Sequence, residues 1–320
     1  MTTPLVSILI FVYNREDLLV PCVRSALAQT VEDYEIVLVD NASTDRTWEV
    51  CQDFARQDSR VRIFRNETNT GPVRNWIRSI EEARGQYAKV LLSDDLMSPT
   101  FLEKTLPYIK NPEVGFVYTG AEIGTEPGKG NVSYIRGDRP HLYSTHEYMM
   151  QSLYYQGYTV PNSPGASLFR LEDLRKNVLL EVPSPTIHDF PDHAMGTDIL
   201  LYLLTCHQYP LVAHVPESLA FFRAHGGSVT TSTLSKNPDL WTFCYQQVKI
   251  WFANEHRDES TLQSLLAIEW VRDYHKNKRW LPFREVAARY IYNVDRIAPT
   301  SEGSEIQLTR DLCHVRRHIA

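Results

Sequence analysis

Residues 87–95 read Tyr87-Ala88-Lys89-Val90-Leu91-Leu92-Ser93-Asp94-Asp95, a largely apolar run that breaks off on two adjacent acids. Such a run predicts a buried strand with charge at its carboxyl end. Upstream, Val6-Ser7-Ile8-Leu9-Ile10-Phe11-Val12, Glu35-Ile36-Val37-Leu38-Val39-Asp40 and Val61-Arg62-Ile63-Phe64 predict three more strands. Amphipathic stretches between them predict helices over about 16–28, 44–57 and 72–84, the last stopped by Gly85. Alternating strands and helices, with strands apolar almost throughout, imply an α/β fold: a mixed, mainly parallel sheet covered by helices on both faces. Ligands bind such sheets outside the carboxyl ends of the strands. Asp40, Asn41, Asp94 and Asp95 all fall there.

Further along, residues 122–164 are loop-rich. Acids from Asp189 lead into the apolar helix Ile199-Leu200-Leu201-Tyr202-Leu203-Leu204, and Leu219-Ala220-Phe221-Phe222-Arg223 predicts another strand. Beyond residue 235 the composition shifts to amphipathic helices over about 241–254, 259–276 and 282–295. The expected organisation is an α/β domain over 1–235, with 1–120 and 121–235 as its two halves, followed by a helical extension over 236–320.

The chain has 320 residues, 43% of them hydrophobic and 22% charged, with a formal net charge of -6. That balance disfavours a general nucleic-acid binder. Five cysteines (Cys22, Cys51, Cys206, Cys244, Cys313) lack CxxC spacing, which argues against a structural zinc site or a disulfide framework. The apolar run from Leu5 to Tyr13 has neither a basic flank nor a cleavage site, so it reads as a strand and not as a signal peptide. No stretch of about 18 apolar residues occurs. The expected location is cytoplasmic, with peripheral contact at the inner membrane surface as an extension of that expectation.

Two adjacent carboxylates after a buried strand repel each other and lose solvation, and a divalent cation relieves both costs. The alternative is a helix cap, with Ser93 or Asp94 turning the chain before Leu96-Met97. Four segments decide between these readings. Pro4 to Asn14, Val39-Asp40-Asn41-Ala42-Ser43-Thr44-Asp45, Asn69-Thr70-Gly71 through Asp94-Asp95, and Phe221-Phe222-Arg223-Ala224-His225-Gly226-Gly227-Ser228 occur in this order. Together they resemble the family-2 glycosyltransferases of the GT-A fold, of the bacterial polysaccharide or lipopolysaccharide type. The resemblance covers roughly residues 4 to 230.

That resemblance implies an inverting transfer of a sugar from a nucleotide-diphosphate donor to a hydroxyl of a glycan or lipid-linked glycan. A UDP-sugar is favoured and a dTDP-sugar is the variant. The transferred group is expected to be a hexose or an N-acetylhexosamine. Donor contacts are expected from Phe11, Tyr13, Asn14, Asp40, Asn41, Asn69, Arg74 and Asp94. Tyr13 is placed to stack on a pyrimidine, and Arg74 to offset diphosphate charge. The expected cofactor is a divalent cation on Asp94, Asp95 and His225, with manganese favoured over magnesium because imidazole suits it better. Asp198 is expected to take the proton of the attacking hydroxyl, with Asp189 and Asp192 as competitors. Asn162 to Ser167 is expected on the acceptor side.

Three departures from the family pattern stand out. Asn41 replaces a frequent acid, Leu92 replaces the acid two positions before the pair, and Thr197 replaces the Glu that commonly precedes the base.

A Rossmann dehydrogenase is excluded because Tyr13-Asn14-Arg15-Glu16 stands where GxGxxG would follow the first strand. A nucleotidyltransferase would carry a Gly-rich basic loop there. The non-enzyme alternative is a catalytically decayed nucleotide- or sugar-binding protein. Residues 236–320, with Trp241, Trp251, Trp270 and Trp280 among Lys276, Lys278, Arg279 and Arg284, predict either a membrane-surface or homo-oligomer contact, or plain helix packing.

Overall fold

A computed structural model of the chain describes residues 3–154, 159–228 and 237–296. Cys313 and the end of the expected extension lie outside them. The chain forms two compact units, Met1–Leu180 with Pro191–Pro238, and Glu181–Phe190 with Asp239–Ala320.

The first unit is built on a ten-stranded sheet. Strands β1 (Val6–Val12), β2 (Tyr34–Asp40), β3 (Val61–Arg65), β4 (Tyr87–Val90) and β5 (Leu96–Met97) come from the first hundred residues. Then come β6 (Val114–Gly124), β7 (Asn131–Ser133), β8 (His141–Ser144), β9 (Ser167–Arg170) and β10 (Leu211–Arg223). The main path runs β3-β2-β1-β4-β9-β6-β10-β5. β1, β2, β3 and β4 pair in parallel, and β10 is parallel to β6. β9 runs against both β4 and β6, and β5, β7 and β8 also run against their neighbours.

The period-2 geometry of β1 explains its unbroken apolar run. Val6, Ile8, Ile10 and Val12 enter one core, against Leu19, Cys22 and Val23 of α1 (Glu16–Leu27) and Cys51 and Phe54 of α2 (Thr47–Gln57). That core also holds Phe101, Leu102 and Leu106 of α4 (Phe101–Ile109). Leu9 enters the opposite core, with Trp76 and Ile80 of α3 (Pro72–Glu82). Tyr148 of α5 (Thr145–Tyr154), Leu174 of α6 (Leu171–Asn177) and Leu201 of α8 (Thr197–Gln208) complete it. Both faces are therefore covered, as the apolar strands predict.

Several boundaries differ from the sequence reading. The loop-rich stretch contains the end of β6, then β7, β8 and α5, because polar edge strands show weak alternation. A short helix α7 (Phe190–His193) forms among the acids before the apolar helix, which starts at Thr197 after Gly196 takes a left-handed φ of 93°. The strand expected at 219–223 is the end of the longer β10. Gly71, with φ 86°, meets the Pro191 carbonyl so closely that an added Cβ would sit 3.2 Å from it.

In the second unit, α9 (Pro238–Glu255) and α10 (Glu259–Asn277) are longer than expected. The third expected helix is a five-residue α11 (Phe283–Ala287) followed by a 3-10 turn at Val294–Arg296. Trp270 fastens α10 to the α11 entry by donating its indole N–H to the Leu281 carbonyl at 2.7 Å. Trp280 stacks on Tyr274 with ring centroids 4.2 Å apart. Among the described residues no helix is long and apolar enough to cross a membrane.

Candidate active site

The carboxyl ends of β1, β2 and β4 lie side by side, so the loops after them form one edge. Across that edge, β5 pairs antiparallel with β10, Leu96 opposite Phe221 and Met97 opposite Ala220. This register carries Asp94-Asp95, just before β5, to Arg223, the last residue of β10, and to His225 just beyond it. His225 Nε2 lies 2.9 Å from Asp94 Oδ2. The Gly227 N–H donates to His225 Nδ1 at 3.2 Å, which puts the ring proton on Nε2 and makes it the donor to Asp94. Arg15 holds the same loop by donating to the Gly227 carbonyl at 2.7 Å.

Asp95 sits deeper. It is 5% exposed, and Oδ1 accepts the Arg223 backbone N–H at 2.9 Å. Arg223 Nε in turn donates to the Asp94 carbonyl at 3.0 Å. Burial, and then the neighbouring Asp94 charge, push the Asp95 carboxyl well above the usual carboxylate range. Beneath the pair lies Lys89, wholly buried on β4. Its ammonium donates to the Val90 carbonyl at 2.7 Å and to the Gly165 carbonyl, and it stands 4.6 Å from the centroid of the Phe101 ring. Burial lowers its pKa to about 7, although the Asp95 charge pulls the other way. A lysine inside an otherwise apolar strand was the available signal, and the sequence reading did not use it.

The loop after β2 is organised differently. The Asp40 carboxylate is fully buried, pairs with Arg65 Nε at 3.0 Å and accepts the Ser43 N–H. Arg65 also donates to the Ser43 carbonyl at 2.9 Å. The parallel register sets Asp40 beside Arg65, so this partner was missed only for want of strand pairing. Asn41 is 3% exposed, and its amide is engaged by Asn66, Asn69, Thr70 and Gly71. Asn14, with φ 50°, hooks onto the same loop: its N–H donates to Ser43 Oγ at 2.9 Å, and its Oδ1 accepts the Thr44 N–H at 2.8 Å. Ala42 is also left-handed, with φ 59°, a conformation costly for a residue with a Cβ. Asp45 accepts the Thr47 N–H at 3.0 Å in the turn that leads into α2.

Phe11 stacks on Trp76 at 5.7 Å, and Tyr13, at the end of β1, is 41% exposed. Asn69 is exposed in the turn before α3 and accepts the Gly71 N–H at 3.0 Å. Arg74, expected on a diphosphate, instead stands 3.6 Å from Asp192. Asp198 lies in the first turn of α8, half-buried, with Oδ1 accepting the Ile199 N–H at 2.9 Å. Tyr202, one turn on, ties α8 to the 163–167 segment through the Ser163 carbonyl at 2.9 Å and Ser167 Oγ at 2.7 Å.

Among the described residues, no group of three or more His, Cys, Asp or Glu side chains could by itself hold a metal ion. Asp94 and His225 nonetheless bring a carboxylate oxygen and an imidazole nitrogen together. Magnesium and manganese sites on phosphates commonly use one or two protein ligands, with phosphate and water oxygens as the rest. The donor set would fit that kind of site once His225 Nε2 gives up the proton it donates to Asp94.

Residues 7–177 match the pattern of Glycosyl transferase family 2. The chain is 27% identical over 232 residues to Glycosyltransferase GlyG of Streptococcus pneumoniae serotype 4, an alignment taking in 70% of this chain and 72% of that one. It is 32% identical over 125 residues to the Putative teichuronic acid biosynthesis glycosyltransferase TuaG of Bacillus subtilis (39% of this chain, 50% of that one). Among solved structures, that of S. aureus TarS 1-349 in complex with UDP-GlcNAc superposes with a TM-score of 0.64 at 15% identity, over 98% of this chain and 92% of that one. At that identity the likeness bears on the fold, and it agrees with the GT-A architecture that the resemblance implies. With a family match that spans more than half of its length, the chain belongs to glycosyl transferase family 2 and is a glycosyltransferase.

Proposed function

We propose that the protein transfers a sugar from a UDP-sugar, or in the variant case a dTDP-sugar, to a hydroxyl of a glycan or lipid-linked glycan, with inversion. The observation that carries this reading is the meeting of Asp94 and His225, at 2.9 Å, on the edge where β1, β2 and β4 end. The solved TarS complexes with UDP-GlcNAc and with UDP support a UDP-sugar donor. Tyr13 offers its exposed ring to the base. The loop held by Asp40, Asn41, Asn14 and Asn69 shapes the ribose side, and Phe11 backs it from β1. Asp94 and His225 hold a divalent cation, manganese in preference to magnesium, which when bound offsets the charge of the departing diphosphate.

Asp95, expected on the metal, is instead read as supporting Asp94 from behind, since it is buried and its Oδ1 accepts the Arg223 N–H. Arg15, by holding the Gly227 carbonyl, keeps the His225 loop over the site and so excludes water from the donor. Asp198 takes the proton of the acceptor hydroxyl as it attacks the anomeric carbon, a single displacement. Arg74 reaches the diphosphate only on leaving Asp192. The sugar class is a hexose or N-acetylhexosamine, and the setting is cell-envelope polysaccharide synthesis in the cytoplasm.

A panel of UDP- and dTDP-sugars, each with manganese, magnesium or chelator, tests this by nucleotide release and thermal shift. Manganese-dependent release from at least one donor is expected; no shift and no release with any of them would overturn the reading. One observation favours a second reading, a decayed binding protein: Leu92 occupies the position of a frequent acid. Nucleotide binding without turnover of any donor would select it. For the second unit we propose peripheral contact with anionic lipid, or self-association. Flotation with anionic liposomes and the sedimentation mass decide between these and plain packing.

A further inference from the structure

Asn41 directly follows β2, where a side chain is expected to read the donor base. Its amide has nothing left to read with. Nδ2 donates to Asn69 Oδ1 at 2.8 Å and to the Gly71 carbonyl at 3.2 Å. Oδ1 accepts from Asn66 Nδ2 at 2.8 Å, from the Thr70 N–H at 3.0 Å and from Thr70 Oγ1 at 3.2 Å. Two donors and one carbonyl oxygen are the whole capacity of an asparagine side chain, and all of it is used inside the protein.

The network continues inward. Asn66 also donates to Asn75 Oδ1 at 3.0 Å, and Asn75 Nδ2 donates to the Val12 and Val39 carbonyls, each at 3.4 Å. The ends of β1 and β2 are thereby joined to the turn at 69–71. Only a group that both donates and accepts fits at 41. A carboxylate there would set an oxygen against Asn69 Oδ1 and the Gly71 carbonyl, and buried groups so mismatched are costly.

We propose that Asn41 is a positioning residue for a pyrimidine nucleoside diphosphate: it does not touch the base, but holds the Asn69–Gly71 turn in the place from which the base edge is met. This rests on the nucleotide-sugar reading above. It makes Asn41 more than a weaker copy of the acid frequent at this position. It also separates two signs. If Asn41 touched the base, Asn41→Asp would supply a stronger acceptor for the pyrimidine N3–H and keep or improve UDP affinity. If Asn41 positions the turn, Asn41→Asp loses both internal donations and affinity falls.

Calorimetric titration of UDP with manganese into the wild type, Asn41→Asp and Asn66→Ala tests this, alongside the unfolding midpoint without nucleotide. Asn41→Asp is expected to weaken UDP binding by about tenfold or more, roughly the worth of one or two such hydrogen bonds. Asn66→Ala, which removes a donor to Asn41 Oδ1, is expected to weaken it several-fold, and it carries the test if Asn41→Asp does not fold. UDP affinity in Asn41→Asp at or above the wild-type level overturns the proposal. So does wild-type affinity in an Asn66→Ala protein with a lowered midpoint, which would make the network structural only. A wild type that binds no nucleoside diphosphate overturns the nucleotide-sugar reading itself, and this inference with it.

Discussion

The loops after β2 and after β4 carry the same kinds of side chain at the same edge of one sheet, and use them in opposite ways. After β2, the acid and the amide are satisfied from within: Asp40 by Arg65 and Ser43, Asn41 by the 66–71 segment. After β4, two acids stand together, with a buried lysine below and a histidine across. The first loop gains rigidity from its polar groups. The second keeps charge that its own fold only partly offsets, and such excess charge at a strand end is where ligand chemistry is looked for. Residue type alone therefore does not mark a catalytic acid; the balance of its partners does.

The sharpest test lies at Asp198, in the first turn of α8. Asp198→Asn is expected to cut transfer by roughly a thousandfold or more while UDP affinity holds, read as kcat against the nucleotide Kd. Near-normal turnover would retire it as the base. Asp94→Asn should lower manganese-dependent turnover by about a hundredfold to a thousandfold. Its unfolding midpoint should hold or rise, because Asp95 loses a like-charged neighbour. Asp40→Asn should do the reverse: the Asn amide would face Arg65 Nε, and stability should fall by about 1–3 kcal/mol in chemical denaturation, a range discounted for the half-exposed arginine. A stable Asp40→Asn protein with no turnover would break the comparison.

The smallest effect is a pH slope. The folded-state pKa of Lys89, about 7, lies below its ordinary 10.5. Between those values the unfolded chain holds a proton that the folded chain has lost, so the stability contribution is complete above the upper value and lost as pH falls to the lower. Relative to Lys89→Met, wild-type stability should rise by at most ~1.4 kcal/mol per pH unit across that window. Parallel slopes for the two proteins would show that the buried ammonium does not titrate there.

How much of this was legible beforehand follows from the range over which each feature is decided. β1, β2 and β4 were legible because burial on both faces leaves an unbroken apolar run. β7 and β8 were not, since short edge strands alternate weakly, and neither was α7, a single turn among the acids before α8. The candidate site divides in the same way. Asp94, Asp95 and His225 were legible as residue types at suggestive places. Arg65, Lys89, Asn66 and Asn75 were passed over, because each matters through a partner that the strand order supplies.

By itself, then, the sequence determined which segments are buried, where the strands end, and that acids and amides stand at those ends, because burial and backbone periodicity are local properties of the chain. Tertiary structure decided which of those polar groups are spent and which are kept. His225 lies 131 residues from Asp94 and meets it only because β5 pairs with β10. Asn41 is saturated only because the 66–71 segment folds back onto β2. Hydrogen bonds are satisfied in space, and that accounting cannot be closed along the chain alone.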